Sequence, residues 1–97
     1  MIENFSTQPQ TPTHHPTHHV DFVSRSTCGS CQRVLAQIRP VVDRFGATLR
    51  VIEVDADGVD QEWAMEFGDR VPVVLVDDEE IGCWEIDNED LIDALQG

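Results

Sequence analysis

Ser26-Thr27-Cys28-Gly29-Ser30-Cys31 is the stretch of sequence that determines how the rest of the chain is interpreted. It follows residues 20–25, where apolar and polar residues partly alternate as in a half-buried strand. It precedes a predicted helix over about 29–45, with Pro40 inside it, whose apolar residues recur at spacings of three and four: Cys31, Val34, Leu35, Ile38, Val41, Val42 and Phe45. Two cysteines therefore stand where a predicted strand gives way to a predicted helix.

This placement favours thiol chemistry. The first turn of a helix has unpaired backbone N–H groups and the positive end of the helix dipole, and both stabilise a thiolate. Cys28, at the edge of the helix, is the predicted nucleophile, with a pKa below that of a free thiol. Cys31 lies about one turn further in and is the predicted resolving thiol. The alternatives are that both thiols only pack in the core, or that they bind zinc, which needs four ligands.

The composition limits the classes of partner. The chain has 97 residues, with 19 acidic residues against 6 arginines, and its net charge is −13. This charge argues against nucleic acid or an anionic membrane as a partner. The longest apolar run, 71–76, is too short to span a membrane, and the N-terminus shows no secretory signal. We therefore expect a cytoplasmic monomer, in which Cys-x-x-Cys indicates redox or metal chemistry.

Residues 1–19 are predicted to form a disordered tail. They include three of the five prolines and all four histidines, and no apolar period runs through them. The histidines form a His-His-x-x-His-His cluster at 14–19 that could ligate a transition metal, but a solvated tail is the simpler reading because nothing orients the rings. No metal site is predicted for the chain.

Residues 20–97 are predicted to form one α/β domain. After the first strand and helix come a strand, a helix, two strands and a helix, predicted at 48–55, 59–67, 71–76, 81–84 and from 87 onward. Residues 77–80 form an acidic turn between the last two strands, which should pair antiparallel, whereas the first two strands should be parallel. The order β-α-β-α-β-β-α predicts a four-stranded mixed sheet covered by helices on both faces.

Over residues 20–97 the sequence resembles the thioredoxin fold, and within it the short bacterial glutaredoxin-like proteins. Two motifs carry the resemblance: the Cys28 to Cys31 pair after the first strand, and Val71-Pro72 at the start of the third. The resemblance implies that Pro72 is preceded by a cis peptide bond and faces the cysteines. It also implies that the backbone of Val71 pairs with an extended substrate chain.

The resemblance further implies which residues bind substrate. Arg25 matches the basic residue that glutaredoxins carry three positions before the first cysteine, and Thr27 directly precedes the pair. Gly82 matches the first glycine of the family's Gly-Gly, but Cys83 replaces the second, where its side chain would crowd the glutamyl end of glutathione. Arg25, Thr27, Val71, Pro72 and Gly82 are therefore the predicted substrate-binding residues. Glutathione is kept as a candidate co-substrate, and no cofactor is expected.

Two functions remain open. The first is a thiol–disulfide oxidoreductase that acts on a disulfide-containing protein or a small-thiol substrate, with a reductase as electron donor. The second is a non-catalytic thioredoxin-fold module that binds a partner and uses its cysteines as a redox switch. Trp84 is predicted either to line the substrate groove or to pack in the core, and Cys83 is expected to be a small buried hydrophobic residue rather than a third redox centre.

Overall fold

The computed structural model describes residues 18–96, which contain four strands and three helices. Their order is the predicted β-α-β-α-β-β-α. The elements are β1 (His19–Ser24), α1 (Gly29–Arg44), β2 (Thr48–Glu53), α2 (Gln61–Phe67), β3 (Val73–Val76), β4 (Glu79–Cys83) and α3 (Asn88–Gln96). Among these residues, no helix is long and apolar enough to cross a membrane.

The strands form one mixed sheet in the order β2-β1-β3-β4. β1 and β2 are parallel and in register from His19 opposite Thr48 to Ser24 opposite Glu53. β3 is antiparallel to both of its neighbours, β1 and β4. One edge of the molecule therefore carries the C-terminal ends of β1, β2 and β4, the start of β3 and the N-terminus of α1. The turn before α1, which contains Cys28, lies at this edge.

Side chains alternate along the strands and build a core on each face of the sheet. On one face, Phe22 and Val74 pack with buried residues of α1 and α3, including Ile38 and Leu91. The other face is smaller and is covered by α2. It contains Val23, Val54, Phe67, Val73 and Leu75. Helices thus cover both faces, as predicted, and the fold class is thioredoxin-like.

Several predicted strand boundaries were wrong by one or two residues. β1 begins at His19 rather than Val20, and β2 ends at Glu53, two residues before the predicted end. β3 begins at Val73, so that Val71 and Pro72 precede it. Apolar content does not show where ladder hydrogen bonds begin or end: Val54 and Val71 are apolar but lie outside the strands, whereas polar His19 lies inside β1.

The hairpin between β3 and β4 is tighter than predicted. Its turn contains only Asp77 and Asp78, whose φ values of 51° and 71° are those of a two-residue type I′ turn. Glu79 and Glu80, predicted as turn, belong to β4 instead. The start of the second helix also differs from the prediction. It lies at Gln61 rather than at Val59, because Asp60 caps the helix by accepting a hydrogen bond from the backbone N–H of Glu62.

The predicted tail of residues 1–19 lies almost wholly outside the described residues, and so do His14 and His15 of the histidine cluster. The other two histidines contact side chains of the folded domain. His18 pairs with Asp77, and His19 places its Nε2 2.8 Å from a carboxylate oxygen of Asp21. Within residues 18–96 no group of three or more side chains is arranged to hold a metal ion.

Candidate functional site

The two cysteines lie at the start of α1 and are joined as a disulfide, with their Cα atoms 5.4 Å apart. Cys28 is the N-cap residue of the helix and is partly exposed, whereas Cys31 is only 3% exposed. This order of exposure agrees with the predicted assignment of Cys28 as the accessible sulfur and Cys31 as the shielded one.

The helix end beside Cys28 keeps its positive character. No side chain caps α1, and its first turn has no acidic residue. The backbone N–H groups at this end therefore face Cys28 without an acidic side chain of the helix's own first turn to neutralise them. The hydroxyl of Ser30 lies 3.5 Å from the Cys28 sulfur and is a second hydrogen-bonding group for it. Both features stabilise negative charge on that sulfur.

Hydrogen bonds to neighbouring loops hold the turn that carries Cys28. The N–H of Cys28 donates to the carbonyl of Arg25 at 3.0 Å. The N–H of Ser26 donates to Asp55 at 3.0 Å, and the Ser26 hydroxyl bonds to the same carboxylate. The Ser26 hydroxyl, followed by the Ser26 N–H, lowers the pKa of Asp55 below its usual value. Sequence analysis missed Asp55, although the C-terminal ends of parallel strands lie at one edge and could have pointed to it.

The side chain of Arg25 binds the backbone at the end of α2. Its guanidinium donates to the carbonyl of Gly68 at 3.0 Å. Gly68 is buried, and a Cβ there would approach both the Ala64 carbonyl and the Arg25 guanidinium too closely, so this position requires glycine. Arg25 thus has a structural partner in addition to the substrate-binding role predicted for it.

A cavity of about 170 Å³ adjoins the disulfide. Both cysteines and Arg25 line it, and so do Val51 and Glu53 of the edge strand β2. Thr27 does not line this cavity but is exposed in the turn beside it. The structure therefore brings together three of the predicted site residues and adds Glu53, a carboxylate that sequence analysis did not select.

Val71 and Pro72 lie at the same edge, just before β3. The Val71–Pro72 peptide bond is cis, as the resemblance implied. Val23 of β1 is opposite Val73 of β3, where the paired register ends. Val71 and Cys28 both pack against the larger core, but neither Val71 nor Pro72 lines the cavity beside the disulfide.

The segment after β4 lies at the same edge of the sheet, but neither Gly82 nor Trp84 lines the cavity beside the disulfide. Gly82 is opposite Val74, and a Cβ on Gly82 would lie 3.1 Å from the side chain of Ile86, so this glycine permits close packing in the core. Trp84 donates its N–H to the carbonyl of Pro72 at 2.8 Å and leaves 60% of its side chain exposed. Of the two predicted placements for Trp84, packing in the core was wrong. Cys83 is partly buried against the smaller core, as expected of a small hydrophobic residue.

The fold and this geometry agree with comparisons to known proteins. Residues 19–96 match the family model described as Glutaredoxin-like domain (DUF836). The chain belongs to this glutaredoxin-like family. An uncharacterized protein of Mycobacterium tuberculosis is 36% identical over 74 residues, which cover 74% of this chain and 76% of that protein.

Solved structures show the same fold as this glutaredoxin-like chain at low sequence identity. The solution structure of protein Ne2328 from Nitrosomonas europaea is 21% identical with a TM-score of 0.66, and the match covers 82% of this chain and 93% of that one. Thioredoxin 1 from Thermosipho africanus is 20% identical with a TM-score of 0.60, over 80% of this chain and 90% of that one. These likenesses establish a thioredoxin-like fold.

Proposed function

We propose that the protein is a thiol–disulfide oxidoreductase that uses Cys28 as nucleophile and Cys31 as resolving thiol. One observation carries the proposal: a partly exposed sulfur lies within bonding reach of a buried second sulfur, at a helix N-terminus that has no side-chain cap and no acidic residue in its first turn. The first sulfur can meet a substrate, and the second can meet only the first. This asymmetry is what two-step disulfide exchange requires.

The reaction conserves electrons and protons. In the reduced protein, the Cys28 thiolate attacks one sulfur of a substrate disulfide, so a mixed disulfide forms and the other substrate sulfur leaves as a thiolate that takes up a proton. The thiolate of Cys31 then attacks the Cys28 sulfur, which releases the second substrate thiol and joins Cys28 to Cys31. The substrate gains two electrons and the protein loses two.

An electron donor must then reduce the Cys28–Cys31 disulfide. We propose a reductase or a small thiol such as glutathione for this step, in a reducing cytoplasm, with the protein acting as a monomer. With a net charge of −13, a donor or target with a basic surface would associate fastest, since opposite charges steer encounter.

The proposal is tested by reduction of a model protein disulfide, with dithiothreitol as donor and three single variants. Cys28→Ser should abolish the protein's contribution to turnover. Cys31→Ser should accumulate a mixed disulfide with the substrate, visible by mass spectrometry. Cys83→Ser is the matched control and should keep wild-type turnover, because Cys83 has no bond to the pair. Turnover that survives Cys28→Ser would contradict the assignment.

One observation favours the second candidate, a non-catalytic module with a cysteine switch. Glu53 lines the cavity beside the cysteines, and Asp55 binds Ser26 in the same turn. Both carboxylates oppose negative charge on the Cys28 sulfur. The rate of alkylation of reduced Cys28 against pH separates the candidates. A midpoint clearly below about 8.5, the value for a free thiol, supports the oxidoreductase, and a midpoint at or above it supports the switch.

A further inference from the structure

Trp84 combines two features that core packing does not explain. Its backbone φ is 65°, in the left-handed region that favours glycine and is rare for a bulky side chain. Its indole is 60% exposed, and it belongs to neither core cluster of the described residues. The chain therefore bears conformational strain in order to present a large aromatic side chain to solvent. Strain of this kind is concentrated at functional sites.

Backbone hydrogen bonds fix Trp84 at the edge of the sheet that also carries the cysteine pair. Its N–H is bound by the carbonyl of Pro72, and the next residue, Glu85, donates its N–H to the carbonyl of Cys83 at 2.8 Å. These bonds hold both sides of Trp84 in place. Pro72 follows Val71, which packs with Cys28 against the larger core. The indole is thus held at the same edge of the sheet as the cysteine pair without contributing to the core.

The neighbouring backbone is free to bind a chain. Among the described residues, no backbone hydrogen bond outside the helices and strands uses the N–H or carbonyl of Val71. A polypeptide that placed its disulfide against Cys28 could pair with Val71, and its adjacent side chains would then reach Trp84.

The charges around Trp84 favour a cationic side chain. Glu85 is adjacent and exposed, and the whole chain has no lysine. Two arginines of this part of the fold are engaged: Arg25 by the Gly68 carbonyl, and Arg70 by Glu80 and by the carbonyl of Glu66. Arg33, two residues after Cys31 on α1, is exposed. Glu80 is also the main cause that raises the pKa of Arg70. Arg25 and Arg70 are therefore occupied, and an indole beside a carboxylate suits the side chain of arginine or lysine.

We propose that Trp84 determines substrate specificity, and that its indole stacks on a basic side chain next to the reacting cysteine of a polypeptide disulfide. This inference rests on the proposed function and specifies its substrate class. Trp84 acts by binding, and it has no part in the exchange of electrons.

The test uses two disulfide-linked peptides that differ only in arginine or glutamate beside the cysteine. We expect the wild type to prefer the arginine peptide. Trp84→Gly should lower kcat/KM for that peptide about tenfold, the factor expected for a partly desolvated cation–π contact, through KM and with little change in kcat. The glutamate peptide should be almost unaffected. Met65→Ala is the matched control, because Met65 is also a large exposed apolar residue, on α2, and is 84% exposed.

A stability measurement distinguishes recognition from a structural role. Glycine adopts positive φ without strain, so Trp84→Gly should unfold at the same or a higher urea concentration than the wild type. A clear fall in that midpoint, an equal loss with both peptides, or a preference of the wild type for glutathione disulfide over the arginine peptide would overturn the proposal.

Binding of the S-methylated peptides, measured by calorimetry, requires no turnover. If no disulfide is reduced but the arginine peptide still binds more tightly in a Trp84-dependent way, the proposed function fails and the recognition site stands. If both peptides bind equally, or binding does not depend on Trp84, the recognition site fails.

Discussion

Replacing Arg50 with methionine should destabilise the protein more than any other single loss of surface charge we consider. Arg50 of β2 donates two hydrogen bonds, at 2.9 and 3.1 Å, to the carboxylate of Asp21 on the neighbouring strand. Asp21 is 1% exposed, so its carboxylate depends on these hydrogen bonds in place of water. The same bonds, followed by the Coulombic attraction of Asp21, raise the pKa of Arg50 above its ordinary value.

The expected magnitude follows from the burial of each partner. Breaking a buried ion pair by removing one member costs about 3–5 kcal/mol. Here the loss is smaller, because the Arg50 side chain is 55% exposed and His19 stays 2.8 Å from Asp21. The guanidinium also lies 5.5 Å from the Trp63 ring centre, a contact worth about 0.5–1 kcal/mol at an exposed site. We expect a total loss of about 2–3 kcal/mol at pH 7, and a melting temperature lower by about 10–20 °C.

Urea unfolding of the oxidised protein measures this loss. Arg39→Met is the control, since Arg39 is exposed on α1, and it should change the free energy of unfolding by less than about 0.5 kcal/mol. The double variant Asp21→Leu with Arg50→Met leaves no buried charge and should recover at least half of the loss. If Arg50→Met matches Arg39→Met, or if the double variant is less stable than Arg50→Met alone, the buried carboxylate is not what Arg50 stabilises.

Three further outcomes are expected. Gly68→Ala should cost about 1–3 kcal/mol, measured by thermal unfolding, because a Cβ there meets a carbonyl oxygen of α2; an unchanged melting temperature would show that the loop yields. The hydrogen bond from His18 is the main cause that lowers the pKa of Asp77, so its stabilisation is present above the ordinary carboxyl pKa and is lost as the pH falls through the lowered value. The difference in urea midpoint between wild type and Asp77→Asn should therefore shrink between pH 6 and pH 3, and a constant difference would contradict this linkage. Asp55→Ala should speed amide hydrogen exchange at Ser26 severalfold, while the exchange of core amides in β3 stays the same.

The order of elements and the thiol pair could be predicted from sequence because both depend on local patterns. Spacings of three and four identify α1, and a cysteine pair directly before such a pattern must lie at the N-terminus of a helix. The predicted strand ends were less accurate, since hydrophobicity does not show where ladder hydrogen bonds begin and stop. The cis bond before Pro72 came from the family resemblance, and the structure agrees with it.

Only the tertiary structure decided which distant side chains meet. Asp21 and Arg50 are 29 residues apart, as are Ser26 and Asp55, and Arg25 reaches a carbonyl 43 residues away. Such pairs follow from strand register and loop path, and register is set by how the two cores pack rather than by any local spacing. The same holds for Trp84: the sequence left both the core and the substrate groove open for it, and the structure exposes its side chain and bonds its backbone N–H to the Pro72 carbonyl. The sequence by itself thus determined that the two cysteines lie at the start of α1, and packing across the sheet determined which side chains surround them.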